Sequence, residues 1–118
     1  DAALRLSLGR ALLGQGKYDE AAAELQKAVA DPRQADSAHM ALAQCFQEKG
    51  FLDLARSEYE KALTAHPGVD ETAREILYNL GVIAEAEGNS AEARSFYARI
   101  FEVDIGYKDV SEKMERLK

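Results

Sequence analysis

Apolar residues recur along this chain at intervals of three and four positions, which is the spacing of one face of an α-helix. Short polar or glycine-containing stretches interrupt the pattern. The resulting segments predict about seven helices, at roughly 2–15, 18–30, 35–49, 52–65, 70–87, 90–103 and 108–117. No alternating run of strand length and no Asn-Gly or Asp-Gly hairpin signal occurs. The pattern therefore predicts an all-α fold.

The helical pattern is repeated along the chain. Gly16, Gly50 and Gly88 each follow one helical segment and precede another, at spacings of 34 and 38 residues. Alignment on these glycines brings four further sets into register: Leu8, Leu42 and Leu80; Gly9, Ala43 and Gly81; Ala21, Ala55 and Ala93; and Leu25, Tyr59 and Tyr97. Three units in register predict three helix pairs joined by tight turns that need positive φ, followed by a seventh helix.

These sets resemble the tetratricopeptide repeat, a 34-residue helix–turn–helix with a Leu-Gly pair, an Ala-x3-aromatic step and a late proline. The resemblance covers roughly residues 2–105, with Pro32 and Pro67 closing the first two units. It implies a right-handed α-solenoid of antiparallel helix pairs in a single domain, 1–118. The expected units are about 2–35, 36–69 and 74–107, and a capping helix follows at about 108–117.

Local signals refine the ends and faces of these helices. Leu8, Leu42 and Leu80 are expected on the packing face of the first helix of each unit. Asp70 is expected to cap a lengthened first helix in the third unit. Two pairs have the spacing of a capping box, and these are Thr72 with Glu75 and Asn89 with Glu92.

The two ends of the array differ in their apolar faces. Tyr107, Val110, Met114 and Leu117 share one face of the last segment, as in a helix that closes a repeat array. No comparable cap precedes the apolar first helix, so we expect upstream residues or a self-contact there. The run from Tyr107 to Val110 also resembles the ends of bacterial arrays of this family.

Charge and hydropathy narrow the range of partners. The 118 residues carry 15 basic and 21 acidic side chains, for a net charge of −6. An acidic chain repels phosphate, so we expect neither nucleic acid nor anionic membranes as partners. No apolar run approaches the ~20 residues of a membrane span, and we expect no direct membrane insertion. A cytoplasmic location is expected, or a periplasmic one if a leader has been removed.

Candidate chemistry is sparse. The histidines His39 and His66 are expected to be structural, His39 at a helix-packing position and His66 at a helix C-terminus. Cys45 is expected to be a buried, inert thiol. No ligand spacing of a metal site and no phosphate-binding glycine loop is present. We therefore expect no catalytic residues, no metal, no cofactor and no enzymatic activity.

The resemblance implies a concave binding groove lined by the first helices of the units. On each first helix, residues spaced three or four positions apart form a second stripe next to the packing face. We call this set the groove stripe, and it comprises Leu6, Arg10, Leu13, Met40, Gln44, Gln47, Tyr78, Val82 and Glu85, with Asn79 beside it. Exposed apolar residues within such a stripe favour an interaction surface.

Two functions follow as hypotheses. The first is a scaffold or adaptor module, part of a larger bacterial protein, that binds a peptide or amphipathic segment of another protein in the groove. The alternative is self-assembly into a homo-oligomer through the uncapped first helix. One subgroup of the family clamps acidic chaperone tails with Lys, Asn and Arg. Here Arg10 is the only cation of the groove stripe, so we expect weak or no binding of such tails.

Overall fold

The computed structural model describes residues 1–118 and contains seven α-helices and no strand. The helices are α1 Ala2–Gly14, α2 Tyr18–Ala28, α3 Pro32–Glu48, α4 Leu52–Leu63, α5 Glu71–Ala86, α6 Ser90–Phe101 and α7 Val110–Arg116. The predicted all-α class is confirmed. The chain divides into two compact units, Asp1–Ala65 and His66–Lys118, and the expected single domain 1–118 stays a prediction.

The first unit holds α1 to α4. Each helix packs on the next, and α1 also contacts α3. Small residues lie at the helix contacts and let the backbones approach closely. A Cβ atom at Gly9 would lie 2.6 Å from Leu25 Cγ, so α1 meets α2 over a position that has no side chain. The buried cluster comprises Leu6, Ala21, Leu25, Ala28, Ala38, Ala41, Leu42 and Cys45.

The second unit holds α5, α6 and α7, with α5 packed on α6 and α6 on α7. Gly81 allows α5 and α6 to approach closely, as Gly9 does for α1 and α2, because a Cβ atom at Gly81 would lie 2.6 Å from Tyr97 Cζ. The Tyr97 ring is fully buried, and so is Val110 at the start of α7. Val110 is the most deeply buried residue on the apolar face of the closing helix.

The turns inside the helix pairs are alike. Gly16, Gly50 and Gly88 have φ angles of 76°, 82° and 78°, as predicted, a region that only glycine enters without steric cost. The residue after each glycine donates its N–H to a carbonyl in the preceding helix, for example Lys17 to Leu12 at 2.9 Å. This backbone bond closes the helix end and directs the chain into the second helix of the pair.

One predicted helix boundary and one predicted capping box are wrong. Pro32 was expected to close the first unit, but it occupies the first turn of α3, where the Asp31 side chain accepts a hydrogen bond from Arg33 N at 2.9 Å. Proline suits this position because its fixed φ is helical and its missing N–H would have no partner there. Thr72 lies inside α5, because Asp70 caps that helix by accepting from Ala73 N at 2.8 Å.

Other predicted caps are confirmed. Asp70 caps α5 as expected, and Asn89 Oδ1 accepts from Glu92 N at 3.1 Å at the start of α6. The closing helix is shorter than predicted, since α7 begins at Val110. Lys108 precedes it with a φ of 44°, a left-handed conformation that redirects the chain into the helix.

The packing-face prediction is correct for two of its three leucines. Leu42 and Leu80 are 2% and 0% exposed, whereas Leu8 is 48% exposed. No side chain of the chain covers this face of α1, and Leu4, one turn earlier, is 69% exposed. Helical phase predicts which face is apolar but not whether another element covers it.

Candidate functional site

The groove stripe is only partly open in the first unit. Arg10 is exposed, and the remaining members apart from Leu6 are half-buried, namely Leu13, Met40, Gln44 and Gln47. Leu6 differs from the expectation of an exposed lining residue, because it is 8% exposed and belongs to the buried cluster of this unit. The accessible set, which we call the first-unit stripe, is therefore Arg10, Leu13, Met40, Gln44 and Gln47.

The two helices that carry the first-unit stripe are neighbours. α1 contacts α3 directly, and the members on each helix lie three or four residues apart and so share one face. Leu13 packs part of its side chain against the buried cluster of the unit and leaves the rest accessible. Met40 is half-buried on the adjacent helix. The arrangement offers apolar surface flanked by one guanidinium and two amides.

Gln47 is held in place from the second helix of its pair. The hydroxyl of the fully buried Tyr59 donates a hydrogen bond of 2.6 Å to Gln47 Oε1. This bond fixes the side-chain amide and leaves the Nε2 hydrogens as donors. A donor whose position is fixed in advance loses less conformational entropy when it binds a ligand.

The second unit has an equivalent tyrosine hydrogen bond, but its acceptor is a carboxylate instead of an amide. Tyr97 and Glu85 occupy the repeat positions of Tyr59 and Gln47, and the Tyr97 hydroxyl donates to Glu85 Oε2 at 2.6 Å. Two cations of α7 complete the cluster, with Lys113 Nζ at 3.2 Å from Oε2 and Arg116 Nη2 at 2.6 Å from Oε1. Glu85 therefore accepts hydrogen bonds from three side chains of its own unit.

Tyr78 is also engaged by the C-terminal segment. Its hydroxyl donates to Asp109 Oδ1 at 2.6 Å, and Lys108 Nζ lies 4.8 Å from its ring centroid. The Tyr107 ring stands edge-on to the Tyr78 ring at 6.1 Å between centroids. Asn79 donates from Nδ2 to Glu75 O at 2.9 Å within its own helix. In the second unit, Tyr78, Asn79 and Glu85 thus have partners within the chain, and Val82 is half-buried.

The contacts of the second unit set the protonation states of the cluster. Burial alone raises the pKa of Glu85, but hydrogen bonds from Tyr97, Arg116 and Lys113 outweigh it and lower this pKa to about 2. Burial and the bond to Asp109 raise the pKa of Tyr78 to about 12. Burial and the Glu85 carboxylate also raise the pKa of Tyr97. At neutral pH the carboxylate is charged and both hydroxyls can donate.

Sequence reasoning missed the cations that face the groove stripe in the second unit. Arg10 of the first unit is the only cation expected in the groove stripe, yet Lys108, Lys113 and Arg116 reach Tyr78 or Glu85 from the closing segment. Two features of the sequence could have indicated them. Lys113 and Arg116 are three residues apart and so share one helix face, and the stripe of the preceding repeat contains the carboxylate Glu85. The contact itself depends on tertiary structure.

The two histidines have hydrogen-bonding partners, and the cysteine is buried. His39 is half-buried, as expected, with Nδ1 2.6 Å from Glu58 Oε2. His66 Nδ1 lies 2.9 Å from Asp70 Oδ2, the carboxylate that caps α5, and the expected capping of the preceding helix by His66 stays a prediction. Cys45 is fully buried, as expected, and burial raises the pKa of its thiol.

The structure also bears on metal binding and on membrane insertion. No group of three or more His, Cys, Asp or Glu side chains is placed to hold a metal ion. None of the seven helices has the length and apolar character needed to cross a bilayer.

Solved structures of other proteins share this fold. The first tetratricopeptide domain of Spaghetti (RPAP3), bound to the HSP90 peptide SRMEEVD, is 18% identical with a TM-score of 0.82, over 98% of this chain and 89% of that one. The Yersinia enterocolitica type III secretion chaperone SycD was solved in complex with a peptide of the translocator YopD. It is 20% identical with a TM-score of 0.81, and the match covers 98% of this chain and 90% of SycD. A tetratricopeptide repeat protein from Parabacteroides merdae is 22% identical with a TM-score of 0.82, over 98% of this chain and 49% of that one.

Sequence comparison gives the family directly. No curated protein matches the sequence. A profile of the tetratricopeptide repeat matches residues 6–70 and, in a second overlapping placement, residues 48–102. Together the two placements span residues 6–102, which is most of the chain and runs from within α1 to the end of α6. The chain belongs to the tetratricopeptide repeat family.

Proposed function

We propose that this chain is a non-catalytic protein-interaction module that binds a peptide segment of another protein on the first-unit stripe. The observation that carries the proposal is the presence of two partly accessible apolar side chains, Leu13 and Met40, on the neighbouring helices α1 and α3. Accessible apolar surface bordered by polar groups is characteristic of an interface. Arg10 and Gln44 supply that border here.

The second unit is a weaker candidate for the same role. Its Tyr78 and Glu85 already bind Asp109, Lys113 and Arg116 of the closing segment. A peptide that replaced these contacts would have to compensate for the loss of charge-assisted hydrogen bonds, which are stronger than neutral ones. In the first unit, Arg10 is exposed and a ligand has no such contacts to displace there.

The chemistry of the stripe indicates the kind of ligand. Leu13 and Met40 favour a peptide with apolar side chains, and methionine adapts its shape to different partners. Arg10 favours a carboxylate or a backbone carbonyl, and the amides of Gln44 and Gln47 can set the register by hydrogen bonding. An amphipathic helix or an extended segment meets these requirements. The Spaghetti domain and SycD, which share the fold, were each solved with a bound peptide.

Peptide binding of this kind is compatible with a scaffolding role in the cell. We propose a scaffold or adaptor, within a larger bacterial protein, in the cytoplasm or, if a leader has been removed, the periplasm. The tetratricopeptide repeat is a protein-interaction family, which supports a binding role rather than a catalytic one. The net charge of −6 supports protein rather than nucleic acid as the partner.

Peptide selection tests the proposal. Peptides would be selected from a phage-displayed random library on the immobilised chain, and the affinity of the best binder measured by fluorescence anisotropy. Met40→Glu should weaken binding by about 30-fold or more, the effect of a hot-spot residue. Leu54→Glu makes the same kind of change at a side chain that is 51% exposed on α4, outside the stripe, and should bind normally.

The outcomes separate the stripe from other surfaces. Circular dichroism should show equal helicity for both variants, because neither position is fully buried. If Met40→Glu bound the peptide as tightly as the unmodified chain, the assignment of the stripe would be wrong. If Leu54→Glu lost binding while Met40→Glu kept it, the site would lie on α4.

A further inference from the structure

One position of the groove stripe occurs in all three helix pairs, and a second position changes together with it. Alignment on the turn glycines brings together the stripe residues Leu13, Gln47 and Glu85. Twelve residues later, on the second helix of each pair, the aligned residues are Leu25, Tyr59 and Tyr97, which are all fully buried. Where the second helix has leucine the stripe residue is apolar, and where it has tyrosine the stripe residue has an oxygen that accepts hydrogen bonds.

The bond between the tyrosine and the stripe residue has the same length in both pairs. Each hydroxyl lies 2.6 Å from a side-chain oxygen, Gln47 Oε1 for Tyr59 and Glu85 Oε2 for Tyr97. A carboxylate only accepts hydrogen bonds, so the Tyr97 hydroxyl is the donor. A distance of 2.6 Å is also short for N–H···O and normal for O–H···O. The Gln47 amide is therefore oriented with its oxygen toward Tyr59 and its Nε2 hydrogens away from it.

The second unit shows what this position binds when the acceptor is charged. The Glu85 carboxylate receives Lys113 Nζ at 3.2 Å and Arg116 Nη2 at 2.6 Å, both from the closing helix. The element that contacts Glu85 thus does so with two cations, which are the natural partners of a carboxylate. Gln47 presents the opposite polarity at the equivalent position, because its oxygen faces the tyrosine and its remaining groups are donors.

We propose that Gln47 selects ligands by polarity, so that the peptide on the first-unit stripe presents an acceptor oxygen there and not a lysine or arginine. The inference rests on the proposed binding of peptide by that stripe. Tyr59 is a positioning residue, because its hydroxyl holds the amide in the donating orientation. A cation at this point would meet amide hydrogens and would lose hydration without gaining an acceptor. The acceptor oxygen belongs to the main chain or to a side chain of the peptide.

Parallel peptide selections test the polarity of this position. Phage-displayed random peptides would be selected on the immobilised unmodified chain and on Gln47→Glu, and affinities measured by fluorescence anisotropy. Gln47→Glu reproduces the arrangement at Glu85, so its peptides should be enriched in lysine or arginine. These peptides should bind the unmodified chain at least about tenfold more weakly than they bind the variant.

Removal of a hydroxyl tests the positioning role. In Tyr59→Phe the Gln47 amide is free to turn its oxygen outward, so the affinity ratio between the two kinds of peptide should fall by about threefold or more. Tyr18→Phe is the matched control, because it removes a hydroxyl from a half-buried tyrosine of the same unit outside the stripe, and it should leave the ratio unchanged. A merely structural role of Tyr59 would weaken both kinds of peptide equally.

Alanine replacements in the peptide distinguish the two sources of the acceptor. They would be made, one at a time, at each oxygen-bearing side chain of the peptide selected on the unmodified chain. Loss of binding for one replacement assigns the acceptor to that side chain. Unchanged binding for all of them assigns it to the main chain, and either result agrees with the inference.

Met40→Glu keeps this test separate from that of the proposed function. If Met40→Glu still bound the selected peptide, the stripe would be wrong and the inference would fall with it. If Met40→Glu lost binding but Gln47→Glu selected the same kinds of peptide as the unmodified chain, the inference alone would be overturned. An unchanged affinity ratio in Tyr59→Phe would contradict the positioning role. Circular dichroism checks that each variant is folded.

Discussion

Glu85 should stabilise the chain in a manner that depends on pH. The carboxylate binds Tyr97 within its helix pair and Lys113 and Arg116 on the closing helix. The substitution Glu85→Gln removes the charge but keeps an oxygen that can accept from Tyr97. The first unit shows that this geometry is feasible, because Gln47 accepts from Tyr59 at 2.6 Å in the equivalent position. The change therefore isolates the two ion pairs that hold α7.

The structure gives the size and sign of the effect. A pKa lowered from 4.5 to about 2 corresponds to about 3 kcal/mol, at about 1.4 kcal/mol per pH unit. The Glu85 side chain is 20% exposed and Arg116 is 56% exposed, so solvent screening reduces this to about 1–2 kcal/mol. Because the folded-state pKa lies below the unfolded one, the stabilisation is complete above about pH 4.5 and is lost as the pH falls toward 2.

Urea denaturation followed by circular dichroism measures this difference. At about pH 7, Glu85→Gln should unfold with about 1–2 kcal/mol less free energy than the unmodified chain, and the difference should shrink toward zero near pH 2–3. Glu48→Gln is the matched control, because it removes an exposed carboxylate at the end of α3. Equal stability of Glu85→Gln and the unmodified chain at neutral pH would refute the reasoning, as would a gap that stays constant on acidification.

Three further predictions concern the core, the thiol and ligand class. Ala55→Leu should lower the free energy of unfolding by about 1–3 kcal/mol, because Ala55 is fully buried and a larger side chain would have to displace its neighbours; an unchanged melting curve would contradict this expectation. Cys45 should react slowly with Ellman's reagent in the folded chain and rapidly in urea, whereas fast reaction of the folded chain would contradict its burial. The peptide SRMEEVD, which is bound in the Spaghetti structure, should bind this chain weakly or not at all when measured by isothermal titration calorimetry, because the first-unit stripe offers only Arg10 as a cation. Tight binding that depends on the carboxylates of the peptide would contradict this prediction.

Local features of the fold were predictable from the sequence. The positive φ of Gly16, Gly50 and Gly88 follows from the need to reverse the chain after each first helix. Asp70 was predictable as a cap because a carboxylate just before a helix can accept from its free N–H groups. Pro32 was misread because proline is common both after a helix and in the first turn of one, and sequence spacing does not distinguish the two positions.

Tertiary features of the candidate site were less predictable. Helical phase placed Leu6 and Leu13 on the same face, but their burial differs because Leu6 lies within the buried cluster and Leu13 at its edge. The partners of Glu85 come from residues 28 and 31 positions further along the chain. Such contacts depend on how the closing helix packs against its unit, which periodicity within one helix does not determine.

Peptide binding by the first-unit stripe can be located residue by residue with an NMR titration. The ¹⁵N-labelled chain would be titrated with the tightest peptide from the phage selection. The largest chemical-shift changes should fall on the backbone amides of Arg10, Leu13 and Met40 and on the side-chain amides of Gln44 and Gln47, while the amides around Leu54 stay constant. Shift changes concentrated on α4 or on the closing helix, with the first-unit stripe unaffected, would mean that the peptide binds elsewhere.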